Sequence, residues 1–348
     1  MQNNQQQQKN YRVIGYSDRM SYDAWLALRS NSIGGSEIAA AMGLNPYCTR
    51  FECWARKTGH VKSKVEQNEA MYWGNRLQHI IADEFEKRHA EDNYKVIETK
   101  AIFQHKTLDH LTANIDGYVD MGNGEFAVLE IKTTAAWNAE QWNDNLPGKA
   151  AEVPISYYLQ CQYYMMLLNG YNGKCTPGKI RKAFLVCLVG GNAYKEVEIP
   201  YDEEIAAVIL YKANEFWELV KNNIPPDVTS KDNKLLAEVF PSSNANTVQL
   251  ADEFSNQLEQ LASIKTQEAA LKAIRDEIES KIRMALGENG SATCGGWNIS
   301  YKSSIRNTFD SDAAKKLLTA EELQTCMKQT STRTLRITKA KIKTAKAK

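Results

Sequence analysis

Asp116-Gly117-Tyr118-Val119-Asp120-Met121-Gly122-Asn123-Gly124-Glu125-Phe126-Ala127-Val128-Leu129-Glu130-Ile131-Lys132 reads as a β-hairpin that carries two carboxylates and a lysine. Residues 125–131 form a mostly apolar, β-prone run, the pattern of a buried strand. Gly122-Asn123-Gly124 supplies the turn before it. Alternation along the strand places Glu130 and Lys132 on one face and turns Ile131 to the other. A buried glutamate beside a lysine and across from an aspartate is costly to hold unless a cation or a substrate uses it.

Working outward, residues 94–103 and 110–120 read as strands, and Lys182 to Gly190 as another. Helical periodicity marks a segment capped by Ser21, a second one after Ile33-Gly34-Gly35-Ser36 with Ser36 placed to cap it, and Arg50 to Lys57. Longer helices follow at Met71 to Arg88, Ile155 to Leu168 and Ile199 to Lys221. Helices, a strand meander, a helix, a strand and a helix give an α/β core with a mixed sheet. The expected organisation is a disordered polar N-terminus at 1–17, a core at 18–225 and a linker at 226–249 rich in Pro, Ser and Asn. An extension at 250–330 follows, with a long amphipathic helix from Leu250 to Gly287, a hairpin at 292–305 and a last helix at 310–329.

The chain has 348 residues, 43% of them apolar and 24% charged, as in ordinary globular proteins. No apolar run approaches the ~18 residues of a membrane span. The polar N-terminal tract lacks the apolar stretch of a signal peptide. Seven cysteines without a Cys-x-x-Cys pair point to free thiols in a reducing cytoplasm, and away from zinc ribbons and iron–sulfur clusters. Net charge is +1, yet residues 331–348 hold seven basic side chains and no acid. That tail reads equally as a solvated end or as an arm that grips phosphate.

Two carboxylates with a lysine suit phosphodiester hydrolysis. A divalent cation screens the phosphate, acidifies the attacking water and stabilises the leaving oxygen. Mg²⁺ accepts one or two carboxylates, with neutral oxygens completing its shell. Asp116, Glu130 and the carbonyl of Ile131 are the candidate metal ligands. Lys132 would orient or deprotonate the water and offset negative charge. The plainer alternative is a surface hairpin with an ordinary ion pair.

Further motifs flank the hairpin. Arg29 … Ile33-Gly34-Gly35-Ser36-Glu37-Ile38-Ala39, Asn45-Pro46-Tyr47 and Trp73-Gly74 … Phe85-Glu86 precede it. Pro154-Ile155-Ser156-Tyr157-Tyr158-Leu159-Gln160-Cys161-Gln162-Tyr163 follows it. In this order they resemble the YqaJ-like viral recombinase family, relatives of the phage lambda exonuclease within the PD-(D/E)XK nuclease superfamily. The resemblance spans roughly residues 18–225, and more weakly 250–345.

The resemblance implies a restriction-endonuclease-like core and a Mg²⁺-dependent, 5′-to-3′ exonuclease of double-stranded DNA, with Mn²⁺ as a substitute cation. Such an enzyme would leave a 3′ overhang for recombination by single-strand annealing. It also implies a role for Gln160 at the edge of the active site, with Tyr157 one turn before it. Arg29, Ser36 and Asn114 would hold the 5′-phosphate, and a fork of guanidinium, hydroxyl and helix-start amides is chemically apt for an anion. Expected partners are duplex ends, a single-strand annealing protein and further copies of the chain in a trimer, with no membrane. Relatives carry a glutamate four residues past the Trp-Gly glycine, where this chain has Gln78. A neutral amide there weakens a second metal site, leaving two alternatives: a DNA-end-binding protein with muted catalysis, or a structure-specific endonuclease.

Overall fold

The computed structural model describes residues 11–62, 68–122, 124–142, 152–171, 180–308, 310–328, 335 and 337. The glutamine-rich start, Asn123 at the hairpin tip, Cys175 and nearly all of the basic tail therefore lie outside the described residues. The chain divides into two compact units, Met1–Phe240 and Pro241–Lys348.

The first unit is built on a five-stranded sheet in the order β2 (Lys95–Glu98), β5 (Gly117–Asp120), β6 (Phe126–Thr134), β7 (Ile180–Val189) and β8 (Ala193–Pro200). Only β6 and β7 run parallel, so the sheet is mixed as expected. The Phe-Ala-Val-Leu-Glu-Ile run forms β6 at the centre of the sheet. Its odd positions Ala127, Leu129 and Ile131 pack with Ile81, Ala82 and Phe85 of α4 (Glu69–Arg88) on one face. Val128, from the even positions, joins the opposite core with α5 (Ile155–Asn169) and α6 (Glu203–Lys221). Helices thus cover both faces, and the alternation places Glu130 and Lys132 under α5.

A smaller sheet, β1 (Tyr11–Tyr16), β3 (Ala101–His105) and β4 (Thr112–Ala113), lies beside it in sequence. Tyr11–Tyr16 fall within the stretch expected to be disordered, but Tyr-Arg-Val-Ile-Gly-Tyr is β-prone and pairs with β3, with Tyr11 packed edge-on to Phe103. The single strand expected at 94–103 is two strands in different sheets. Thr99 turns the chain between them, its N–H donating to the Asp116 carbonyl and its hydroxyl accepting from Ala101 N–H. Strand β8 has no counterpart in the sequence reading, because Lys195-Glu196 and Glu198 disguise its alternation. It forms through a Gly190-Gly191 hairpin with both residues at positive φ.

The segment read as a linker contains α7 (Asn233–Val239), with Leu235, Leu236 and Val239 packed on the core. Asp232 is buried and accepts hydrogen bonds from Thr49, which also caps α3 (Arg50–Lys57), and from Thr229.

The second unit holds α8 (Glu253–Leu286), a β9–β10 hairpin (Ser291–Cys294, Trp297–Ser300) and two short helices, α9 (Ser311–Leu317) and α10 (Ala320–Cys326). Thr319 caps α10 through a capping box, which splits the single helix expected at 310–329. No described helix is long and apolar enough to cross a membrane.

Candidate active site

The first turn of α5 begins at Pro154, and its aromatic run packs against the even face of β6. Strand β5 starts only at Gly117, paired with Leu129, so β6 outruns its neighbour beyond that point. Asp116 fills the gap, its Oδ2 accepting from the Ile131 N–H at 2.8 Å. In an extended strand a residue's N–H and C=O point to the same side, so the Ile131 carbonyl also faces the Asp116 edge.

Glu130 is 2% exposed. Its Oε1 accepts from Lys132 Nζ at 2.5 Å and from Gln160 Nε2 at 2.6 Å, whereas its Oε2 is buried with no hydrogen-bond partner. Burial first, and then the charge of Asp116, push the Glu130 carboxyl up to about 8. Burial likewise raises Asp116. Burial alone would lower the Lys132 ammonium, but Glu130 and Asp116 outweigh it and hold the group protonated, 4.9 Å above the Tyr157 ring. A buried acceptor without a donor, on one of two carboxyls that repel each other, is what a cation would relieve. The donor set of Asp116, Glu130 Oε2 and the Ile131 carbonyl is all oxygen, which fits a hard divalent cation. No cluster of three or more His, Cys, Asp or Glu side chains suited to a metal occurs among the described residues, so such an ion would rest on two carboxylates and neutral oxygens.

Tyr164, which the sequence reading passed over, ties this site to its surroundings. Its hydroxyl accepts from Gln160 Nε2 and donates to the Asn114 carbonyl, both at 2.9 Å. The neighbouring Tyr163 donates to the carbonyls of Ile33 and Thr112. The signal was the spacing of four between Gln160 and Tyr164, one face of a helix.

Arg29 and Ser36 meet in a cavity of 170 Å³ lined also by Glu37, Arg56 and Lys57. Arg29 Nη2 donates to Ser36 Oγ at 3.4 Å and lies 3.2 Å from Glu37. Glu37 also pairs with Lys57 at 2.7 Å, and Lys57 donates to the Arg29 carbonyl at 2.5 Å. Ser36 does not cap its helix. The turn of α2 (Gly35–Ala41) starts from Gly34, whose N–H donates to Glu37, and Ser36 is left facing Arg29. Asn114 is exposed and is not among the described residues that line this cavity; its carbonyl accepts from the Tyr164 hydroxyl.

Gln78 sits on α4 with Oε1 3.4 Å from Lys100 Nζ and Nε2 buried without a partner. Lys100 also acts electrostatically on Asp116. The adjacent His79 is exposed and paired with Glu98 at 2.5 Å.

A model of the YqaJ-like viral recombinase domain matches residues 24–171. The chain is 32% identical over 311 residues to the uncharacterized protein YqaJ of Bacillus subtilis, covering 88% of this chain and 91% of that one. Among solved structures, an alkaline exonuclease from Laribacter hongkongensis is 20% identical with a TM-score of 0.43, over 58% of this chain and 94% of its own. The shutoff and exonuclease protein of Kaposi's sarcoma-associated herpesvirus is 11% identical with a TM-score of 0.38, over 60% of this chain and 71% of its own. Matched along nearly the whole of its Bacillus relative, the chain belongs to the YqaJ-like viral recombinase family.

Proposed function

We propose that the chain is a divalent-metal-dependent nuclease that degrades double-stranded DNA from its ends, with Mg²⁺ as the cation and Mn²⁺ as a substitute. The observation that carries this reading is the partnerless buried Glu130 Oε2, on a carboxyl that feels the charge of Asp116 and whose Oε1 is bonded to a protonated Lys132. A cation held by Asp116, Glu130 and the Ile131 carbonyl would screen a phosphodiester and acidify the attacking water.

The side chains divide the remaining work. Lys132, kept protonated by its two acids, donates to the water or to the developing phosphoryl charge. Gln160 and Lys132 both occupy Glu130 Oε1, which fixes the carboxyl and leaves Oε2 free. Tyr164 fixes Gln160 in turn.

The cavity of Arg29, Ser36, Arg56 and Lys57 supports capture of a 5′-terminal phosphate and hence 5′-to-3′ polarity. A 3′ overhang for annealing, a partner protein that anneals it and a ring of three subunits extend the same reading from the family resemblance. Gln78 supports a narrower version in which catalysis is muted and end binding remains, because its oxygen is turned to Lys100.

Digestion of linear duplex with a 5′-phosphate or a 5′-hydroxyl, in Mg²⁺, tests these points together. Release from the phosphorylated end should fall at least about a hundredfold in Lys132→Ala, and parent-like digestion by that variant would sink the assignment. Equal rates on both ends would remove the phosphate pocket. Mg²⁺-independent end binding without release, restored to activity by Gln78→Glu, would select the muted reading, and nicking of closed circles would select an endonuclease.

A further inference from the structure

A second cavity, of 340 Å³, opens beside the same lysine. Its walls include Pro46, Tyr47, Thr134, Asn138, Trp142 and Tyr157. The Tyr157 ring is the one that Lys132 Nζ overlies at 4.9 Å, and it packs against Trp142 at 5.6 Å and 30°. Tyr47 is 82% exposed, and its phenol is within electrostatic reach of that of Tyr157. Thr134 belongs to β6, two residues after Lys132, so the cavity continues directly from the candidate reacting centre.

The chemistry of this cavity is unlike that of the Arg29 cavity. Among the described residues no lysine or arginine lines it, and the charged side chain there is the acid of Glu152. Aromatic rings and amides remain. Asn138 Nδ2 donates to Thr134 Oγ1 at 2.9 Å, which orients the amide. Flat rings flanked by donors and acceptors suit a heterocyclic base, since every base offers a π face whatever its sequence.

We propose that this cavity receives one nucleobase of the DNA strand that crosses Lys132, stacked on the exposed ring of Tyr47 beside Tyr157, with its edge toward the amides of Asn138 and of Gln141, which also lines the cavity. The subsite rests on the nuclease reading for the identity of the strand. The two cavities then divide a nucleotide's chemistry: one takes phosphate, the other takes a base.

The test uses the full chain without divalent cation and short 5′-phosphorylated strands carrying 2-aminopurine at successive positions. Quenching of that base at one position is expected in the parent and in Tyr47→Phe, and its loss in Tyr47→Ala with affinity reduced about tenfold. An abasic residue at that position should cost the parent a similar factor and cost Tyr47→Ala nothing further. Quenching that is uniform along the strand, or unchanged in Tyr47→Ala, overturns the subsite. Nucleotide release in Mg²⁺ is scored separately. Position-specific, Tyr47-dependent quenching without release keeps the subsite and loses the activity, and release without such quenching loses the subsite alone.

Discussion

A Cβ built on Gly35 would sit 2.2 Å from Cε1 of Tyr164, so the turn that carries Ser36 and the tyrosine of α5 are in direct contact. Tyr164 cannot swing aside freely, because its hydroxyl holds Gln160 and the Asn114 carbonyl. Through this ring the Arg29 cavity and the carboxylate site share one rigid part.

Gly35→Ala should therefore cost about 1–3 kcal/mol through overpacking. For a unit of this size each kcal/mol lowers the thermal midpoint by about 2–4 °C. Calorimetry checks the first effect, and nuclease rate should fall with it as Gln160 is displaced. A midpoint equal to the parent's would show that the ring yields without cost.

Removal of the candidate metal position should be visible without any assay of activity. A ligand that binds only the folded state at a hundred times its Kd raises stability by about 2.7 kcal/mol. Mg²⁺ is expected to raise the thermal midpoint of the parent and to leave Glu130→Gln unchanged, as followed by calorimetry in EDTA and in excess Mg²⁺. An equal rise in both proteins would place the cation elsewhere.

Glu37 bridges Arg29 and Lys57, and the Lys57 side chain is only 3% exposed. Glu37→Gln strips a buried ammonium of its counter-ion, which typically costs about 3–5 kcal/mol. A lower urea midpoint is expected, together with a weaker preference for 5′-phosphorylated ends as Arg29 loses its anchor. Retention of both properties would show that Lys57 finds another acceptor.

His89 gives the first unit a pH dependence. Burial on its own would lower its pKa from 6.5, but the hydrogen bonds its ring donates to Asp92 and Glu196 win and raise it. The folded state therefore holds this proton more tightly than the unfolded one. Its contribution is complete below pH 6.5 and disappears as pH rises through the folded value. Urea unfolding across pH 5.5 to 8.5 should show that decline, to which Glu130, held up near 8, also contributes, and His89→Gln should make it shallower.

How much of this was legible in the sequence depends on how local each signal was. The β6 run and the α5 helix declared themselves because their apolar periodicity is strong, and alternation alone placed Glu130 and Lys132 on one face. Tyr11–Tyr16 and β8 escaped for a different reason: each is stabilised by a partner strand, and one followed a polar tract while the other was laced with charges. The end of the first unit was obscured by composition. Pro225-Pro226 suggested an exit, but the buried bond between Asp232 and Thr49 joins residues that sequence order keeps far apart. In the candidate site the acids and the lysine could be named from spacing. The supporting contacts of Lys57 and Lys100 depend on tertiary approach and had no linear mark, whereas Tyr164 was marked by its spacing of four from Gln160. Ser36 shows the converse, where a familiar capping pattern pointed to the wrong partner for a hydroxyl that faces Arg29.

The bond between Asp116 and the Ile131 N–H has a practical consequence for anyone who wishes to silence this protein and still trap it on its target. Asp116 stands in for a missing strand at the point where β5 stops. Truncation to alanine would leave a main-chain donor of β6 without its acceptor and loosen the architecture along with the chemistry, so a dead protein of that kind would report on neither. Asparagine keeps an oxygen for that donor while discarding the charge. Asp116→Asn is therefore the form in which to seek a stalled complex.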